Sequence, residues 1–249
     1  MEAFVTACDK YKVKPGLYIG SRDTHNRFGS ITPNTGARWP NGHVIRQGHA
    51  MPRRRNLDYQ RSSAFATHAY VQFLLSCIEE LLTQYGDIAE FWVDGPNLLG
   101  AEDKRTVYNT IASLQPDCLI VLNHSFGDGS VYNLDFAWPS DIMSIEVALP
   151  RLSRYDPWFQ LSIDGNAEEE YYIPGEVCDM IGRDYNWFFG EDDTPQSDAE
   201  LLGRRLICHA RGVNWLLNVP PNREGVLPRT YVDALQRLLK NSQRMGIQQ

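Results

Sequence analysis

The sequence predicts an α/β fold built from parallel β/α units. Three observations carry this: helical periodicity alternates with short apolar runs, the runs are apolar almost throughout instead of at every second position, and Gly, Pro or Asn punctuates the joins. Near-continuous apolar strands are what a sheet needs when both faces are covered. A chain of 249 residues that is 43% hydrophobic and 11% aromatic can bury one substantial core, so a single domain over 1–249 is expected.

Residues 2–11 have helical spacing (Phe4, Val5, Cys8), and the apolar end of "KVKPGLYIG" predicts a buried strand at 16–20. From 21 to 63 runs a long inserted loop rich in Gly, Pro, Asn and Arg, a length that compact domains reserve for functional or disordered segments. His25, Trp39, His43 and His49 lie in it, without a carboxylate at metal-ligand spacing. The clearest helix is 67–85, where Val71, Leu74, Leu75, Ile78, Leu81, Leu82 and Tyr85 recur at steps of three and four before Gly86. It feeds the strand "DIAEFWVDG". A polar helix at 102–114 and the strand "DCLIVLNH" at 117–124 follow, then a glycine-containing loop at 126–130. Further strands are expected at 141–148, 175–182 and 214–221, with helices at 197–211 and 229–242. Glu168 to Glu170 read as a solvated acidic run.

Charge narrows the partners. A formal charge of −7 and a pI near 5.4 weigh against nucleic acid, which needs a basic face to release counterions. The one basic run, Arg53-Arg54-Arg55, reads as a solvated loop segment. No stretch approaches the ~20 apolar residues of a membrane span, and the start lacks a basic region followed by an apolar one, so the chain is expected to be cytoplasmic or a piece of something longer. The five cysteines are widely spaced, with no C-x-x-C pair, and read as reduced, mostly buried thiols. Neither metal nor organic cofactor is expected.

In parallel β/α folds chemistry sits at the C-terminal ends of the strands. That rule selects Tyr18, Asp94, Asn123, His124, Glu146, Asp179 and Asn218. Carboxylates on different strands are the minimum equipment of a glycosidase. The competing reading is that such residues cap the following helix, and Asp94-Gly95 is also an ordinary turn dipeptide.

Four stretches taken jointly resemble one enzyme family. "YVQFLLSCIEELLTQYGDIAEFWVDG", "WPSDIMSIE", "YYIPGEVCDMIGRDYNWFFGEDD" and "RGVNWLLNVPPNREGVLP" are similar to segments of the α-L-fucosidases of glycoside hydrolase family 29, and "FVTACDKYKVKPGLYIG" to that family's third repeat. The resemblance implies a truncated TIM-type (β/α) barrel of about six repeats. It puts the nucleophile of a retaining mechanism on Asp94 and the acid/base on Glu146, with Glu176 on the next strand as the competitor. Tyr18, Trp92, His124 and Trp187 match positions that line the fucose site. The implied partner is a fucosylated oligosaccharide or glycoside, hydrolysed or transferred. The family's two earlier repeats, with His-Trp-Gly and Lys-His-His-Asp-Gly motifs, and its C-terminal β-sandwich have no counterpart here, and the sequence has no His-His pair. A non-catalytic homologue that binds fucosylated glycans or serves as a structural partner is therefore the alternative. Open strand edges would need cover from the 21–63 loop or a second copy, so a homo-oligomer is expected.

Overall fold

Among the described residues, six parallel strands, three in each of two sheets, carry the architecture. The computed structural model describes residues 1–21, 68–95, 99–123, 139–146, 160–162, 170–172, 174–184 and 187–247. These fall into two compact units, Met1–His124 with Asn133–Ile142, and Ser125–Tyr132 with Met143–Gln249. The expected loop at 21–63 lies, from residue 22 onward, outside the described residues, as does His124.

In the first unit, helix α1 (Glu2–Tyr11) leads to β1 (Gly16–Gly20), and α2 (His68–Thr83) to β2 (Glu90–Asp94). Helix α3 (Ala101–Leu114) then leads to β3 (Leu119–Asn123), and the strands pair in parallel in the order β1-β2-β3. Val71, Leu74, Ile78 and Leu82 of α2 are buried at steps of three and four, together with Val107 and Ile111 of α3. They meet Phe91 and Val93 of β2 and Ile120 and Leu122 of β3 in one core cluster. Because side chains alternate along a strand, this fixes the opposite face of the sheet as the one carrying Tyr18, Glu90, Trp92, Asp94 and Asn123. Gln115 fastens the unit at the other end. Its carboxamide accepts from the Ile88 N–H at 2.7 Å and donates to the Leu82 and Gly86 carbonyls at 2.8 Å each, closing the last turn of α2 onto the approach to β2.

The predicted strand at 141–148 begins two residues late for a visible reason. Asp141 accepts from the Ile120 N–H at 2.8 Å and from the Tyr108 hydroxyl at 2.5 Å, while the Ser140 hydroxyl accepts from the Leu122 N–H at 3.1 Å. These side chains satisfy the outer edge of β3, so residues 140–141 end that sheet and do not start the next.

The second unit pairs β4 (Met143–Glu146), β7 (Gly175–Met180) and β8 (Asn214–Asn218) in parallel, in the order β4-β7-β8. Helices α4 (Asp198–Ala210) and α5 (Arg229–Arg244) supply Leu201, Tyr231, Ala234 and Leu238 to a core against which Trp215 and Leu217 pack. A Ser197/Glu200 capping box starts α4. Asp179 belongs to this helix-covered side: its fully buried carboxylate accepts from Arg204 of α4 at 2.8 Å. Of the strand-end candidates, it is thus the one used as a structural tie. A short antiparallel pair, β5 (Gln160–Ser162) with β6 (Glu170–Tyr172), was not legible in the sequence; its second strand begins at Glu170, while Glu168 and Glu169 lie outside the described residues.

Candidate active site

Register brings two predicted strand-end residues of the first sheet, Asp94 and Asn123, into one row. Gly20, Asp94 and Asn123 are direct neighbours across β1, β2 and β3, with Tyr18 one pleat away on the same face. The Tyr18 hydroxyl donates to Asp94 Oδ2 at 2.6 Å and Asn123 Nδ2 donates to Oδ1 at 2.8 Å. Both carboxylate oxygens are thus oriented by donors, and each keeps a further lone pair. The Asp94 carbonyl is held too: the fully buried Ser21 donates its N–H and its hydroxyl to that one oxygen, each at 2.8 Å. Gly95, with φ of 64°, then turns the chain away, a conformation that only glycine adopts without strain. Trp92 lies beside this row, nearly buried, with its indole N–H on Glu90 Oε1 at 3.1 Å.

Sequence reasoning named Asp94, Tyr18 and Trp92 but gave Asn123 no role and overlooked Glu90 and Ser21. Asn123 became readable only through its pairing with Asp94, which no local pattern states. An oriented carboxylate with a free lone pair at a strand end can act as a nucleophile or a base.

The second sheet carries the other two candidates. Ser144, Glu176 and Asn214 form one row across the strands, Glu146 and Cys178 the next, and these share a face. Glu146 closes β4 at its C-terminal end and is half-buried. Glu176 is the second residue of β7, fully buried, and accepts from Asn214 Nδ2 at 2.6 Å. The two therefore differ in depth: Glu146 is at the C-terminal end of its strand, and Glu176 is a row below it. Trp187 lies on the loop after β7, half-buried, with its carbonyl accepting from Asn218 Nδ2 at 2.9 Å. On that loop's inner side, burial pushes the Tyr231 hydroxyl up to about 12, helped by its hydrogen bond to Asp193. Among the described residues no group of three or more His, Cys, Asp or Glu is arranged to hold a metal ion, and no helix is long and apolar enough to cross a membrane.

No family model matches the chain. Among characterised proteins, α-L-fucosidase 1 of Arabidopsis thaliana is 29% identical over 191 residues, 71% of this chain and 35% of that protein. The chain resembles α-L-fucosidases. Solved structures agree on the fold: α-L-fucosidase AlfC from Lactobacillus casei, bound to its α-L-fucose product, superposes with a TM-score of 0.64 and 22% identity over 97% of this chain and 64% of its own. α-L-Fucosidase isoenzyme 1 from Paenibacillus thiaminolyticus superposes with a TM-score of 0.68 and 22% identity over 98% and 52%. The fucosidase likeness thus extends over most of this chain, while the chain spans about a third of the length of the Arabidopsis fucosidase.

Proposed function

We propose that the chain is a retaining α-L-fucosidase domain of shortened (β/α)-barrel type. The observation that carries this reading is Asp94, with one carboxylate oxygen on the Tyr18 hydroxyl and the other on the Asn123 carboxamide, at the end of a buried strand. Asp94 attacks the anomeric carbon as the C–O bond to the leaving group breaks, giving a covalent fucosyl-enzyme. Glu146, at the corresponding end of β4, donates its proton to the departing oxygen and then takes one from the incoming water or sugar hydroxyl. Retention requires such carboxyl groups about 5–5.5 Å apart. Trp92 and Trp187 supply apolar faces for the sugar. Glu176, fully buried and bonded to Asn214, suits a supporting part better than proton transfer. His124 keeps its proposed place in the sugar site on resemblance alone.

The substrate class is a fucosylated oligosaccharide or glycoside, as in the AlfC structure bound to Fucα(1,6)GlcNAc. Transfer to a second sugar competes with hydrolysis wherever an acceptor hydroxyl replaces water. Exposed apolar residues Met1, Phe4, Tyr11 and Val13 in and beside α1 support a homo-oligomer, which light scattering coupled to size exclusion would detect.

The test is fucose release from an aryl α-L-fucoside, followed with Asp94→Gly. That variant should lose several orders of magnitude in turnover while remaining folded, and azide should restore part of it by forming the β-fucosyl azide, since azide then attacks the face Asp94 used. Near-normal activity in Asp94→Gly would remove Asp94 from the mechanism. The second reading, a glycan-binding homologue without activity, is favoured by the lack of a His-His pair in the sequence. Fucoside binding without turnover would establish it.

A further inference from the structure

The loop that leaves β7 and returns at α4 is braced in a way that a simple connection does not require. Most strand-to-helix connections are about two to six residues long. This one is longer and is fastened at its root: Gln196 donates its N–H to the Ile181 carbonyl at 2.8 Å and its side-chain amide to the Met180 carbonyl at 2.5 Å. Gly182 forms a bridge with Pro195, and the Arg183 N–H reaches the Thr194 carbonyl at 2.8 Å.

Above the root, one carboxylate organises the turn. Asp193 Oδ1 accepts from the N–H groups of Arg183 and Asp184 at 3.1 and 3.2 Å, and Oδ2 accepts at 3.0 Å from the hydroxyl of Tyr231, a core residue of α5. Gly182 leaves the room for it, since a Cβ there would stand 1.9 Å from Asp193 Oδ2. The far part of the loop is tied to the neighbouring strand by Asn218, the last residue of β8, through the Trp187 carbonyl. At this tie stands an aromatic pair: Trp187, half-buried, and Phe188, 76% exposed. Aromatic surface fixed before a ligand arrives costs no ordering on binding, and the tie to Asn218 puts Trp187 at the C-terminal end of β8.

We propose that Asp193 is a positioning residue for the substrate, which through Tyr231 and the loop N–H groups presets Trp187 and Phe188 as a wall against which the fucoside packs. This rests on the proposed fucosidase reading and extends it to a residue that touches no substrate.

The experiment compares wild-type chain with Tyr231→Phe, which removes one hydroxyl and keeps the ring in the core, and with Asp193→Asn. For an aryl α-L-fucoside, KM should rise about three- to ten-fold with kcat within about two-fold, because binding is lost while the reacting groups are untouched. Amide hydrogen exchange at Arg183 and Asp184 should accelerate in both variants. Faster exchange with unchanged KM would reduce Asp193 to a purely structural part and overturn the proposal. So would a fall in kcat at unchanged KM, or unchanged exchange in both variants. Calorimetric titration with L-fucose separates this from failure of the parent reading. A wild-type chain that binds fucose without cleaving fucosides would overturn the activity, and weaker binding in the variants would still support the wall. A chain that neither binds nor cleaves overturns both.

Discussion

Replacing Asn123 by Asp changes one atom at the site and reverses its electrostatics. The buried Asn123 now donates to Asp94 Oδ1 at 2.8 Å. In Asn123→Asp an acceptor-only carboxylate takes that place, and two carboxylates at such a distance cannot both ionise. With charge centres about 4 Å apart and an effective dielectric near 20, the repulsion is about 4 kcal/mol, or about three pH units. Asp94 is half-buried, so solvent screening reduces this, and about two units is a fair expectation. The pair then keeps a shared proton over about two further pH units, and across that range the nucleophile is held in its acid form. The sign follows: the acid limb of the kcat/KM profile should move up by about two units, so that at a pH on the wild-type limb activity falls by about a hundred-fold and is recovered about two units higher. Asn123→Ala gives the contrast. It deletes a hydrogen bond to a charged group, which is worth about 1.5–3 kcal/mol, so it should lose about ten- to a hundred-fold with a smaller displacement of the limb. The assay is initial-rate hydrolysis of an aryl fucoside across pH 4–10, with circular dichroism to verify folding. A folded Asn123→Asp with the wild-type profile would refute the argument that Asn123 controls the charge on Asp94.

Three further outcomes are expected. Glu146→Ala should slow fucosides with basic leaving groups far more than activated aryl fucosides, while Glu176→Ala should show no such dependence; the reverse pattern exchanges their roles. Asp179→Asn should cost about 1.5–3 kcal/mol in urea denaturation by removing the charge from a buried hydrogen bond to Arg204, and a loss below about 0.5 kcal/mol would show that the pair is not a structural tie. Burial pushes the Cys118 and Cys208 thiols up to about 11, with Glu90 adding to the effect at Cys118 and Asp179 at Cys208, so a disulfide reagent at pH 8 should leave both unmodified until the chain unfolds.

The sequence made the strands and helices of both sheets legible because each buried element carries its own pattern: period 3.6 in α2, and an unbroken apolar run in β2 and β3. It also pointed to Asp94 and Glu146, since a polar residue closing an apolar run is visible locally. It could not show that Asn123 and Tyr18 both meet Asp94, because that depends on how β1, β2 and β3 align, and residues 18 and 123 are far apart in the chain. It preferred Glu146 to Glu176 without access to what sets them apart in the fold. The difference is one row of register and a bond to Asn214, neither of which is written in the residues around the two acids. The β5 and β6 strands are three residues each, too short for alternation to register against background.

The strict division of the first sheet into a helix-covered face and an Asp94 face makes β2 intolerant of a kind of change that differs from substitution. Each residue's side is set by whether its position is odd or even, counted from the start of the strand. Deleting or inserting a single codon between Glu90 and Val93 would therefore invert the tail of the strand, driving the Asp94 carboxylate toward Ile78 and Ile111 and turning Val93 outward. Point variants on this strand can be graded from mild to severe, but length variants by one residue have no mild form. Only a two-residue change restores parity, and it would do so about 7 Å further along the strand. A mutational library built on this chain should therefore keep β2 at fixed length, and place any insertions or deletions in its connections.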